Sequence, residues 1–177
     1  MPPVGEAGSF PTTRSVPPNS GEPFEMSQPP RLHSILLPAD MPVIYFVTLC
    51  VKNRQRVLAN PLVWESVTAT FESLRNWFVC SAVLMPDHLH VLVAPREDRD
   101  LAVGDFSNGF KRLLGKRLQP SWAWQTGCFD RLLRSHDDGY RQWLYMRENP
   151  VRTKLVASWD LWPYYFDYRG NADLRSR

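Results

Sequence analysis

Two apolar runs meet at a Pro-Asp pair near the middle of this chain, Val79 to Met85 before it and His88 to Ala94 after it. Strand-forming residues on both sides of Pro86-Asp87 predict an antiparallel hairpin with a tight turn. Side chains alternate across a strand, so His88 and His90 share one face while Leu89, Val91 and Val93 share the other. Two neutral imidazoles side by side on a stiff strand supply two ligands of a metal site. A His-x-His pair alone is more often surface or hydrogen-bonded core, so a partner elsewhere in the chain has to decide.

The hairpin has company on both sides. Val43 to Cys50 is nearly continuous in β-branched and aromatic residues and predicts a central first strand. Pro61 to Phe78 predicts a helix capped by Asn60, with Leu62, Val67, Phe71 and Leu74 on its buried stripe. Val103 to Leu118 predicts a second helix, buried through Phe106, Phe110, Leu113 and Leu114, and Cys128 to Arg134 a fourth strand. The order β-α-β-β-α-β is the ferredoxin-like arrangement, an α+β fold in which two helices cover one face of an antiparallel sheet.

A third helix is then free to cover the other face, on which the histidines lie. Ser135 and Asp138 have capping-box spacing, and Pro150 is expected to stop the helix after Asn149. Between them Arg141, Tyr145 and Asn149 recur at i, i+4 and i+8 and so share a stripe, with Glu148 beside it. A phenol is a poor nucleophile near neutral pH, but a divalent cation can polarise a phosphodiester and stabilise the charge that builds on the transferring phosphoryl group. The Asn149 carboxamide, with Glu148 as its rival, is the candidate third ligand beside His88 and His90. Oxygen ligands suit Mg²⁺, and the imidazole pair also suits Mn²⁺. Without the histidines, Tyr145 reads as a core aromatic of an amphipathic helix.

Composition sets the frame around this core. A chain of 177 residues holds one well-buried domain and a tail. Residues 1–38 carry nine of the sixteen prolines and no apolar period, which predicts a disordered Pro-rich tail, leaving residues 39–177 as the domain. Cys50, Cys80 and Cys128 are isolated, which argues against a disulfide framework or zinc ribbon and for a cytoplasmic location. The longest apolar run, Val43 to Val51, is too short to span a bilayer, and the N-terminal stretch lacks the layout of a signal peptide. Net charge is +3, yet residues 39–177 hold 19 Lys and Arg against 15 Asp and Glu, and the basic residues cluster, as suits a polyanionic partner.

Three segments together carry a family resemblance: Pro86-Asp87-His88-Leu89-His90; Trp124-Gln125 with Gly127-Cys128-Phe129-Asp130; and Tyr145-x-x-x-Asn149-Pro150-Val151-Arg152 followed by Leu155-Val156. In order and separation, over about residues 35 to 168, the chain resembles the REP-associated tyrosine transposases among the single-tyrosine HUH transposases. The resemblance implies a ferredoxin-like fold, cleavage and joining of single-stranded DNA through a 5′-phosphotyrosine, and a divalent metal bound by the His pair. It also implies recognition of short hairpin elements with an adjoining tetranucleotide. By position, His88 and His90 take the metal-ligand roles, Asn149 the third-ligand role and Tyr145 the nucleophile role; Tyr140 is off the family position. Thr153-Lys154 stands where many relatives have Ala-Gly, and Arg131 where many have His, which puts substrate preference in doubt more than catalysis.

The stretch Lys111-Arg112-Leu113-Leu114-Gly115-Lys116-Arg117 is the candidate phosphate-tracking surface, joined by Arg134, Arg141 and Arg152, with a solvated helix face as the equal alternative. Trp159, Trp162, Tyr164, Tyr165, Phe166 and Tyr168 are candidates for stacking on bases, with docking onto the domain favoured for most. The expected partner is single-stranded or hairpin DNA, bound by a monomer or a homodimer. Two other classes compete: a ferredoxin-like module that holds hairpin DNA or RNA without cutting it, and a metal-dependent hydrolase that activates water.

Overall fold

A computed structural model describes Leu37 and residues 40–168. Its elements are β1 (Ile44–Cys50), α1 (Pro61–Glu72), β2 (Trp77–Leu84), β3 (His88–Pro95), α2 (Val103–Leu118), β4 (Phe129–Leu133), α3 (His136–Arg152) and β5 (Tyr165–Asp167). The five strands form one antiparallel sheet in the order β4-β1-β3-β2-β5. The first four in that order, β4-β1-β3-β2, are the ferredoxin-like set, and β5 extends the sheet beyond β2. Of the expected 1–38 tail only Leu37 falls among the described residues, and it packs against the main core.

Alternation along the strands splits the sheet into two apolar layers. Val47 and Leu49 of β1 and Leu89, Val91 and Val93 of β3 face α1 and α2, where Phe106, Phe110 and Leu114 are fully buried. On the opposite face Met146 of α3 is fully buried against a smaller cluster of Val83, Met85, Leu92 and Leu133. The larger layer holds the sheet rigid, and the smaller one docks α3 over β3.

Several boundaries differ from the sequence reading, each for a local reason. Helix α1 ends at Glu72, because Trp77 and Phe78 are drawn into β2, whose Trp77 pairs with Pro95. Leu62 is 67% exposed, and Val63 takes its place in the core. Pro150 does not stop α3, which runs on to Arg152. A proline in the last turn leaves only the Met146 carbonyl without its helical donor, and the amides of Thr153 and Leu155 close the end on Asn149 O and Pro150 O. The starts of α1 and α3 follow the sequence: Asn60 Oδ1 accepts from the Val63 amide at 3.0 Å and Ser135 Oγ from the Asp138 amide at 3.1 Å. The three-residue β5, bonded to β2 through Ser81 to Val83, was not foreseen.

Candidate active site

The turn that delivers His88 is fastened from outside the hairpin. Its Pro86 and Asp87 carbonyls accept from the amides of Leu58 and Val51, and the Met85 amide donates to His88 O. Strand β3 lies between β1 and β2, so both histidines project from an interior strand with no freedom to slide. They are nearly buried, with Nε2 of His88 3.1 Å from Nε2 of His90. As expected, they share a face.

What the sequence did not reveal is how the rings are aimed. Asp87 Oδ1 lies 2.6 Å from His88 Nδ1, and Thr48 Oγ1 lies 2.8 Å from His90 Nδ1. An ionised carboxylate only accepts, so His88 carries its proton on Nδ1 and presents a lone pair at Nε2. Outer partners of this kind orient the imidazoles of metal sites and fix their tautomers. Asp87 is in turn held by Arg54, whose Nε sits 2.7 Å from Asp87 Oδ2 and whose Nη1 donates to Cys50 Sγ at 2.9 Å. Arg54 Nη2 also lies 3.4 Å from His88 Nδ1; since that nitrogen donates to Asp87, the approach is a charge contact and not a second hydrogen bond.

Electrostatics keep both rings neutral at physiological pH. Burial, reinforced by His88 and Arg54, drives the His90 pKa down to about 3. Burial lowers His88 as well, with Asp87 opposing it and Arg54 adding to it. Burial alone would raise Asp87, but the hydrogen bonds and charges of His88 and Arg54 together hold it below its ordinary value. Neutral imidazoles beside an ionised second partner are the state in which a cation is bound.

Nitrogen ligands placed cis on an octahedral ion at about 2.1 Å lie about 3 Å apart, so the Nε2 separation fits a shared divalent cation. Among the described residues no group of three or more His, Cys, Asp and Glu gathers to complete such a site. A third protein ligand would therefore be of another type. Asn149 is buried on α3, one turn beyond Tyr145, whereas Glu148 is turned toward Arg147 at 3.5 Å.

Tyr145 lies beside the His pair. Its ring is 5.7 Å from that of His90 and edge-on to Phe46, and 39% of the residue remains exposed. The Arg152 guanidinium sits 5.0 Å over the Tyr145 ring. Tyr140 stacks instead on Trp143, whose indole N–H donates to Tyr165 and Asp167 at the β5 side. Beside Tyr145 opens a recess of about 350 Å³, floored by Phe46 and Thr48 of β1 and Phe129, Asp130 and Arg131 of β4, and walled by Gln142 and Tyr145 of α3.

With this geometry established, the chain can be compared with solved structures. It aligns with a REP-associated tyrosine transposase bound to a REP hairpin at a TM-score of 0.65 and 20% identity, over 83% of this chain and 86% of that one. The two share a fold. A structure described as a transposase from Deinococcus radiodurans R1 aligns at a TM-score of 0.46 and 17% identity, over 59% of this chain and 89% of that one. No protein-family model and no curated protein matches the sequence.

The basic residues divide between the two sides of the sheet. Lys111 and Arg117 are on α2, in the layer opposite the histidines, and both are engaged: Lys111 Nζ donates to Gln125 O and Gly127 O, and Arg117 donates to Ser73 Oγ at 2.8 Å. These bonds tie α2 to the loop before β4 and to the end of α1. Arg112 and Lys116 are exposed on that same helix. Arg134, Arg141 and Arg152 are exposed around α3, on the side of the His pair. Of the C-terminal aromatics, Tyr165 and Phe166 are in β5 and pack on the two apolar layers, as docking predicts, while Trp159 and Tyr168 keep substantial exposure. Among the described residues no helix is long and apolar enough to cross a membrane.

Proposed function

We propose that this protein is a transposase that nicks and rejoins single-stranded DNA at hairpin elements, with Tyr145 as nucleophile. The observation that carries the reading is the Tyr145 ring 5.7 Å from His90, on the same sheet face as the paired Nε2 atoms. The shared fold with a hairpin-bound transposase supports the substrate class. A divalent cation, Mg²⁺ or Mn²⁺, held by His88 and His90 with Asn149 as the third protein ligand, would polarise the scissile phosphate and offset charge on its oxygens.

The remaining work falls to residues of the chain. The Tyr145 oxygen bonds to phosphorus as the P–O3′ bond breaks; the electron pair leaves on the 3′ oxygen, which takes up a proton, and the phenolic proton passes to solvent. The phosphotyrosine ester retains the energy of the broken bond, so attack by a 3′-hydroxyl reverses the step without ATP. Arg152 beside the Tyr145 ring, with Arg134 and Arg141 around α3, holds the strand by its phosphates. Asp87 and Thr48 keep the imidazoles aimed, and burial keeps them unprotonated.

Incubation with a hairpin single strand and Mn²⁺ should yield a protein–DNA adduct that survives denaturation, and Tyr145→Phe should abolish it. An adduct of undiminished yield from that variant excludes Tyr145. The 3.1 Å His88–His90 contact also favours a second reading, since the two rings can satisfy each other by a hydrogen bond in a module that only binds hairpins. Tight binding unaffected by EDTA, with no cleavage under any metal, would select it.

A further inference from the structure

We propose that the recess beside Tyr145 is a nucleobase pocket that takes an unpaired guanine flanking the cleaved phosphate, with Arg131 reading its edge. The proposal rests on the strand-cleavage reading above and adds the base that the site prefers. Position comes first: Tyr145 forms one wall and Thr48, which aims His90, forms part of the floor. A strand whose phosphorus is within reach of the Tyr145 oxygen therefore places a neighbouring base at this opening.

The lining offers a base the flat aromatic surface it stacks on. Phe46, Phe129 and Tyr145 give it aromatic surface, and Phe129 is 50% exposed although it sits in a strand of the sheet. An exposed ring of this kind stacks on a flat base, which a phosphate has no face to do. Purine bases offer the larger stacking face.

Polar groups at the recess choose between the purines. Arg131 pairs with Phe46 across β1 and β4 and so projects on the α3 side. Its guanidinium reaches Asp138 at 3.5 Å with 57% of the side chain exposed. A contact that long and that wet is weak, and the guanidinium can turn to a ligand. Its fork donates two parallel hydrogen bonds, which match the O6 and N7 acceptors of guanine; adenine pairs N7 with a donor. Gln142 supplies an amide from the facing helix.

The test measures adduct formation on hairpin single strands in which each nucleotide flanking the cleaved bond is varied through the four bases. Wild type should favour guanine at one position on the order of tenfold to a hundredfold. Arg131→Ala should collapse the guanine-to-adenine rate ratio at that position, and Arg131→Gln should invert it, because a glutamine amide matches adenine N6 and N7. Gln142→Ala should narrow the same ratio and none at other positions. Circular dichroism checks folding, and a rate ratio is insensitive to the fraction of active protein. A guanine preference that survives Arg131→Ala, or an equal loss on all four bases, overturns the pocket while leaving strand cleavage standing. Absence of any adduct with wild type overturns the cleavage reading itself.

Discussion

Removing the Asp87 carboxylate tests the site at the point where most of its parts meet. Asp87→Ala deletes the 2.6 Å bond to His88 Nδ1 and the 2.7 Å ion pair with Arg54 in one change. A hydrogen bond to a charged partner contributes about 1.5–3 kcal/mol, and loss of an outer partner of a ligating histidine typically weakens metal binding by about 10- to 100-fold. The two figures agree, since a tenfold change corresponds to about 1.4 kcal/mol. The larger end of the range is expected here, because the substitution also leaves the Arg54 guanidinium, 3.4 Å from His88 Nδ1, without its counter-charge beside the proposed cation site. Calorimetric titration of Mn²⁺ into wild type and variant should show the loss in affinity, and adduct formation should need correspondingly more metal. Asp87→Asn, which keeps an acceptor oxygen and removes the charge, should fall between them. If Asp87→Ala binds Mn²⁺ as wild type does while keeping its fold, the idea that Asp87 orients a metal-ligating ring is wrong.

Three further outcomes follow from the same coordinates. Treatment with EDTA should stop adduct formation and added Mn²⁺ should restore it; cleavage that persists in EDTA would remove the metal from the scheme. Met146→Ala empties a fully buried position between α3 and the sheet, so denaturant unfolding should show a loss of about 2–5 kcal/mol, and a loss under about 1 kcal/mol would mean that α3 is not docked there. Burial, with help from Asp167, raises the Tyr165 pKa to about 12, above its unfolded value near 10. Stability from that group is complete below about pH 10 and is lost as pH climbs toward about 12, so alkaline unfolding should be steeper in wild type than in Tyr165→Phe.

The β-α-β-β-α-β order was legible because each long element carries its own periodicity, and the face shared by His88 and His90 follows from strand geometry alone. Leu74 kept the helical spacing going past the true end of α1, although it is buried from a turn. The strand β5 has three residues, too few for alternation to register among so many aromatics. Thr48 and Asp87 became visible as orienting groups only through tertiary structure, since Thr48 is 42 positions from His90 and meets it through the β1–β3 register. A pairing of Val43 to Cys50 with His88 to Ala94 worked out in advance would have put Thr48 opposite His90. The basic run on α2 lies on the face opposite the histidines, where the β-α-β-β-α-β order puts that helix, and charge clustering alone does not say what such a run meets.

Asn53 and Arg54 follow β1 with φ of 57° and 54°, two consecutive residues in the left-handed region. Asparagine tolerates that conformation; arginine holds it at a cost of about 1 kcal/mol or more. Glycine at position 54 would relieve the backbone and discard the guanidinium that steadies Asp87. Robustness and competence thus pull in opposite directions at a single codon. A breeding scheme that rewarded heat tolerance alone would drift toward glycine there, and its winners would be sturdy proteins whose Asp87 had lost its anchor.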